Sequence, residues 1–407
     1  MSYGVRSHVG YCRDRHRTLQ SPYEWPMVFS MLPEPRMLPP FYVMELMRAA
    51  DEAEQRGRDV LHMEVGEPAW PPPTVVRESL ADAVRSGPWG YTSALGDREL
   101  RAAIAEQYPG ATDAQVLVST GTSPVLLLAL ACVVRAGDEV IVFDPGYPCV
   151  PNFVRLLGAQ PRVVTLRPED GFRPSLDAVR AARSARTRAL VVGSPANPTG
   201  VTLTSEELAA LAETMPCLIV DEIYRGIEYA DAPVASAWAL DAGNVIVVDG
   251  FSKKYAMTGF RLGYGVFPPA LIRAAENIHQ SMVISASPFV QKAGLTALTH
   301  PDIPSIRRDW MSQLAEARGV LLDGLAQAGI PVPSPPEGAF YALADVGAFT
   351  NDSLAFALEL LDATGVAATP GVDFGPSGSR YLRFSFARGA DVAREATARI
   401  ADWLSAR

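Results

Sequence analysis

Residues 249–265, DGFSKKYAMTGFRLGYG, set two adjacent lysines just behind the apolar run 245–248, with Arg261 eight positions beyond Lys253. A buried strand that delivers an amine and then a guanidinium suits a carbonyl compound carrying a phosphate. The amine forms a Schiff base and the guanidinium grips the phosphate. Upstream, Gly121-Thr122-Ser123-Pro124 follows a short strand over 115–119 and opens an apolar helix. Ser123 suits the helix cap and Pro124 the first helical position. The glycine lets the backbone approach closely, and the unpaired N–H groups of a helix start favour an anion. Gly121, Thr122 and Ser123 therefore read as a phosphate cradle. Asp221 ends the apolar strand 217–220. An acid there is costly unless it has a partner, and a protonated ring nitrogen is one.

The lysine run, Ser252-Lys253 followed by Gly259-Phe260-Arg261 and Gly263, resembles the signature of the class I/II pyridoxal-phosphate-dependent aminotransferases. In that register Lys253 is the Schiff-base lysine and Lys254 falls on a variable position. Further matches occur in family order over residues 35–405. Asp144-Pro145-Gly146-Tyr147 implies that Tyr147 stacks on the cofactor ring, and Asn197-Pro198-Thr199-Gly200 that Asn197 bonds the ring oxygen. Asp221-Glu222-Ile223-Tyr224 implies Asp221 on the ring nitrogen and Tyr224 on the ring oxygen, with Glu222 structural. The Gly66-Glu67-Pro68 loop implies a backbone contact from Gly66 to the substrate carboxylate. Tyr91, in Gly90-Tyr91-Thr92, matches the tyrosine that reaches the phosphate across a dimer. Over 381–387 the alternation turns Arg383 to the same face as Tyr381 and Ser385. The resemblance makes Arg383 the bidentate partner of the substrate α-carboxylate.

Stepping along the chain, strands alternate with helices from 90 to 265, which predicts a largely parallel sheet with helices on both faces. Every candidate from Gly121 to Lys253 follows a predicted strand, where α/β sheets hold ligands. Beyond 285 come a long helix over 301–328, strand-like runs near 341 and 380–386, and a last helix over 391–404. The resemblance implies α/β fold type I, with a mostly parallel seven-stranded sheet and a smaller α+β domain. The expected division is an arm or extension over 1–35, a small domain from 36–60 with 290–407, and a large domain over 61–289.

Composition fits this reading. The chain has 407 residues, long for one core, and a net charge of −9 that argues against a nucleic-acid partner. The apolar run 124–134 is too short to span a membrane. The Arg-rich first thirty residues lack the apolar core of a signal peptide, and Met27 or Met31 is an alternative start. Four scattered cysteines, with Cys132 and Cys217 in apolar runs, suit a reduced cytoplasm. No metal-like spacing occurs, and His62, His279 and His300 read as structural.

The expected function is pyridoxal-phosphate-dependent transfer of an amino group between an α-amino acid and a 2-oxo acid, by a homodimer with shared sites. The alternative is elimination, replacement or cyclisation on the same fold, which does not decide reaction type. An aminotransferase-like regulator would need a helix-turn-helix, and a nicotinamide enzyme a G-x-G-x-x-G; the sequence shows neither. Aspartate-directed relatives often carry a lysine where Ser123 stands, and residues 38–43 are apolar. Both points favour a neutral or aromatic substrate over a dicarboxylate.

Overall fold

Apolar residues in the central strands alternate between two buried clusters, and this alternation builds the larger part of the molecule. The computed structural model describes residues 38–229 and 234–407. The expected arm over 1–35 lies outside the described residues. Residues 40–407 form one compact unit.

The chain enters through helix α1 (Tyr42–Gln55), the short strand β1 (Leu61–His62) and helices α2 (Thr74–Ser86) and α3 (Arg98–Ala105). Asp97 caps α3, accepting from Glu99 N and Leu100 N at 3.0 and 3.2 Å. Strand β2 (Val116–Ser119) and helix α4 (Thr122–Val133) follow, then β3 (Glu139–Asp144), β4 (Gln160–Thr165), β5 (Thr187–Gly193), β6 (Leu218–Asp221), β7 (Val245–Gly250) and β8 (Gly263–Val266). These seven strands, β2 to β8, form one sheet in the order β2-β8-β7-β6-β5-β3-β4. Only β8 runs against its neighbours, because it pairs antiparallel with both β2 and β7. The other six therefore end at the same edge. Val118, Ile141, Leu190, Leu218 and Val247 face one core, while Leu117, Val140, Val191, Ile219 and Val248 face the other. Helices cover both, as period-two burial requires.

The smaller α+β part has its own core. It joins α1 to the long helix Ile303–Gln327, the helices Ser353–Thr364 and Ala390–Ser405, and the strands β9 (Tyr341–Asp345), β10 (Val366–Ala367), β11 (Thr369–Pro370) and β12 (Tyr381–Ser385). β12 lies between β11 and β9, antiparallel to each, and β1 pairs with β10.

Two local readings are corrected. The helix after the cradle begins two residues earlier than expected: Gly121 is its cap, at φ +112°, with no side-chain cap bond. Ser123 instead pairs with the Tyr147 hydroxyl at 3.2 Å. The strand β8 grows out of the lysine run itself, where the glycines at 263 and 265 hid it from a search for β-branched residues. No helix among the described residues is long and apolar enough to cross a membrane.

Candidate active site

The C-terminal ends of β2, β3, β5, β6 and β7 converge on a cavity of about 490 Å³, closed from the other side by α1, the Gly66 loop, Tyr341 and Arg383. That volume suits a small organic ligand with a bound cofactor. Ten of the expected residues line it: Gly66, Thr122, Ser123, Tyr147, Asn197, Asp221, Tyr224, Ser252, Lys253 and Arg261; Arg383 completes the wall.

One end of the cavity is built for an anion. Helix α4 starts without a side-chain cap, so its first N–H groups are free to meet a ligand. Arg261 lies across that start. A Cβ on Gly121 would sit 2.7 Å from Arg261 Nη2 and would push the guanidinium aside, and the φ of +112° itself favours glycine. Arg261 itself adopts φ +56° after the turn Thr258–Phe260 and donates to Thr258 O at 2.9 Å. It has no carboxylate within 4.0 Å among the described residues.

At the middle, Asp221 accepts from Ile223 N at 3.1 Å, and no cation lies within ion-pairing distance among the described residues. Burial pushes its carboxyl up to about 7, with Asp249 and Glu222 adding to the cost of its charge. A protonated ring nitrogen would repay that cost. Lys253 Nζ donates to Gly66 O at 2.5 Å. Burial pulls its amine down to about 8, helped by Arg383 and Arg261 and opposed by Glu67 and Asp221. A fraction of the amine is thus neutral and nucleophilic near neutral pH.

At the far end sits Arg383, a buried guanidinium. Nη2 donates to Glu64 O at 2.6 Å and Thr369 Oγ1 at 3.0 Å, and Nη1 to Asn197 Oδ1 at 3.0 Å. Nε has no partner. No carboxylate pairs with this cation among the described residues, although burying an unpaired charge costs several kcal/mol. Rings of Tyr341 and Phe374 flank it at 4.2 and 5.0 Å.

Tyr91 is not brought to this cavity; it is 83 % exposed. Gly121 shapes the cavity from behind the Arg261 guanidinium rather than lining it. Sequence reasoning missed Tyr341, whose signal was its place directly after Gly338-Ala339-Phe340 at the start of a strand. Val43, from the stretch 38–43 weighed for the substrate pocket, does line the cavity, whereas Met47, further along α1 on the apolar face that the periodicity marks, was missed.

The model for aminotransferase class I and II matches residues 58–400. The chain is a class I and II aminotransferase. This aminotransferase is 40 % identical over 378 residues to the valine–pyruvate aminotransferase of Mycobacterium tuberculosis, covering 90 % of this chain and 97 % of the relative. It is 33 % identical over 366 residues to the arginine–pyruvate transaminase of Pseudomonas aeruginosa, covering 87 % and 92 %. Among solved structures it resembles an aminotransferase from Mycobacterium tuberculosis with TM-score 0.86 and 40 % identity, covering 91 % and 98 %. The fold is type I, and the enzyme transfers amino groups with pyridoxal phosphate. The residues present fit that cofactor: an uncapped helix start and a guanidinium with no carboxylate beside it among the described residues for the phosphate, a desolvated carboxylate for the ring nitrogen, and a primed amine between them.

Proposed function

We propose that this aminotransferase acts on α-amino acids with neutral side chains, with the roles of its residues divided along the cavity. The carrying observation is Arg383, a buried cation with no carboxylate partner among the described residues, facing the same cavity as Lys253 and Asp221. A substrate α-carboxylate supplies the missing charge through two parallel hydrogen bonds. The Gly66 backbone meets the same carboxylate.

Arg261, Ser252 and the start of α4, residues Gly121 to Ser123, hold the cofactor phosphate. Tyr147 packs on the ring. Asp221 holds a proton on the ring nitrogen, and Asn197 and Tyr224 bond the ring oxygen. Pyridoxal phosphate supplies, when bound, a cationic ring that takes up negative charge from the substrate. Lys253 first anchors the cofactor, and its freed Nζ then moves the proton at the substrate Cα. Its lowered proton affinity suits it to give and take that proton near neutral pH.

Val43 and Met47 offer the substrate side chain an apolar wall, and the only other guanidinium lining the cavity among the described residues, Arg261, is taken by the phosphate. Neutral aliphatic or aromatic donors follow, in keeping with the valine–pyruvate name of one relative. Residues 36–60 with 290–407 act as one domain and 61–289 as the other, closing on the substrate between Arg383 and Lys253. The enzyme is a homodimer, and the free thiols Cys132, Cys149 and Cys217 support a reduced, cytoplasmic setting.

A panel of amino donors with pyruvate tests the substrate reading. Neutral branched or aromatic donors should turn over at least tenfold more efficiently than aspartate or glutamate. A preference for dicarboxylates would overturn it.

A further inference from the structure

Tyr341 opens β9, two residue pairs along from Leu343–Arg383 in the β9–β12 ladder, with Ser385 directly opposite. Residues 341 and 343 share a face, so the Arg383 side chain reaches diagonally across the tyrosine ring. Its guanidinium carbon stands 4.2 Å from the ring centroid. The Tyr341 hydroxyl meets the Tyr224 hydroxyl at 2.7 Å, and the two rings are edge-to-face. A Cβ on Gly66 would fall 2.5 Å from Tyr341 Oη, so the glycine of the substrate loop is required by this hydroxyl. Tyr341 is buried, and its hydroxyl meets that of Tyr224 inside the site.

We propose that Tyr341 is a positioning residue that links the substrate carboxylate to the cofactor's ring oxygen, its hydroxyl orienting Tyr224 and its ring carrying Arg383. The inference rests on the roles given above to Tyr224 and Arg383.

Counting protons fixes its direction. A tyrosine hydroxyl has one hydrogen. If Tyr224 spends its own on Tyr341, it has none for the ring oxygen. Tyr341 must therefore be the donor and Tyr224 the acceptor when Tyr224 donates to the cofactor. A cation over an aromatic face draws electron density from the ring, which makes Tyr341 a better donor. Burial raises both phenols, so both keep their protons. Tyr224 is faced by Tyr341, Arg383 and Asp221, and Tyr341 by Arg383, Tyr224 and Glu67. When a carboxylate docks on Arg383 its charge is offset, Tyr341 donates less strongly, and Tyr224 stabilises an anionic ring oxygen less. A second route exists, since Arg383 Nη1 also donates directly to Asn197 Oδ1 at 3.0 Å. The experiment must separate the two.

The test is the pH-dependent visible absorbance of the cofactor-loaded enzyme, with and without saturating isovalerate, an unreactive branched carboxylate. Native enzyme, Tyr341→Phe, Tyr224→Phe and the double variant are compared. Phenylalanine keeps the ring under Arg383 and removes only the hydroxyl. Loss of one neutral hydrogen bond should raise the transition of Tyr341→Phe by roughly 0.5–1 pH unit while the cofactor stays bound. Isovalerate should raise the native transition, and in Tyr341→Phe that rise should shrink by more than half. In the Tyr224→Phe background, Tyr341→Phe should add little, because it acts through the missing hydroxyl. A full native rise in Tyr341→Phe would assign the coupling to Asn197 and overturn the proposal. An equal effect in both backgrounds would also overturn it. If isovalerate fails to move even the native transition, the carboxylate role of Arg383 fails first and the linkage with it.

Discussion

Lys253 and Lys254, neighbours in the chain, deliver their amines to different places. Lys253 Nζ donates to Gly66 O in the cavity, while Lys254 Nζ pairs with buried Asp249 at 2.5 Å. Asp249 also accepts from the hydroxyls of Tyr108 and Tyr264, each at 3.1 Å. Arg225 stands 3.9 Å from Asp249 and pairs with Glu222 at 2.9 Å. Lys253 and Asp221, both lining the cavity, thus each have a sequence neighbour, Lys254 and Glu222, rooted in one buried ionic cluster.

This separation gives the first prediction. Lys253→Ala should lose the visible absorbance of lysine-bound cofactor and all transamination. Lys254→Ala should retain that absorbance but lose stability, since breaking a buried pair costs about 3–5 kcal/mol. Denaturant unfolding of the apoprotein reads the second effect. Borohydride reduction with peptide mapping reads the register; label on Lys254 would contradict it.

Asp221 tests the electron sink. Asp221→Ala should lower the transamination rate by a factor on the order of 10²–10³, the scale of losing one preorganised electrostatic contact. Cofactor should still bind through Arg261 and the start of α4. Single-turnover absorbance with an amino donor separates rate from binding, and near-native turnover would remove Asp221 from the site.

His62 gives a pH dependence of stability. Its Nδ1 lies 2.7 Å from buried Glu64 Oε1 and its Nε2 3.2 Å from Glu54 Oε1. The hydrogen bond to Glu64 outweighs burial and raises its pKa to about 9. A raised folded pKa means the folded state binds the proton more tightly. The stabilisation is complete below about pH 6.5 and fades as pH rises to about 9. Urea midpoints across that window should fall in the native protein and fall less in His62→Gln. Parallel slopes would show that the pair contributes nothing.

The parallel strands and the residues at their ends were legible in the sequence because local signals carried them. Apolar runs with period-two burial marked the sheet, and Gly121, Asn197, Asp221 and Lys253 each follow such a run. Tyr341 was not legible, since its role depends on the pairing of β9 with β12, a contact across some forty residues. The helix start at Gly121 was misjudged for a different reason. Ser123 has the chemistry of a cap, but the Tyr147 hydroxyl takes its side chain. The Asp249 cluster escaped because its members, Tyr108, Arg225, Asp249, Lys254 and Tyr264, are scattered through the chain and meet only in the folded core.

Tyr91 and Trp89 are exposed by 83 % and 69 % on one short segment, an arrangement rare on a free surface. If Tyr91 of one subunit serves the phosphate of the other, the enzyme is an obligate dimer. Mixing inactive Tyr91→Ala and Lys253→Ala dimers, then letting subunits exchange, should restore part of the activity. Each hybrid holds one site with both native residues. Light scattering that finds a fully active monomer at assay concentration would rule this out.

Arg383 carries the claim that the substrate is an α-amino acid. Its guanidinium is held by Glu64 O, Thr369 and Asn197, so its direction is fixed before any ligand arrives. Lysine cannot copy this geometry, having one ammonium where the guanidinium presents a planar fork. Arg383→Lys should weaken amino and keto acids alike by roughly 2–3 kcal/mol, the scale of a charge-assisted hydrogen bond lost from a buried site. Cofactor affinity should barely change, because the phosphate site proposed at Arg261 and α4 lies at the other end of the cavity. The comparison that decides is between half-reaction constants for an amino acid and for the amine lacking its carboxylate. Native enzyme should favour the amino acid strongly, and Arg383→Lys should erase most of that preference while leaving the amine nearly unaffected. An unchanged amino-acid constant in the variant would mean that the buried cation answers some anion other than the substrate's.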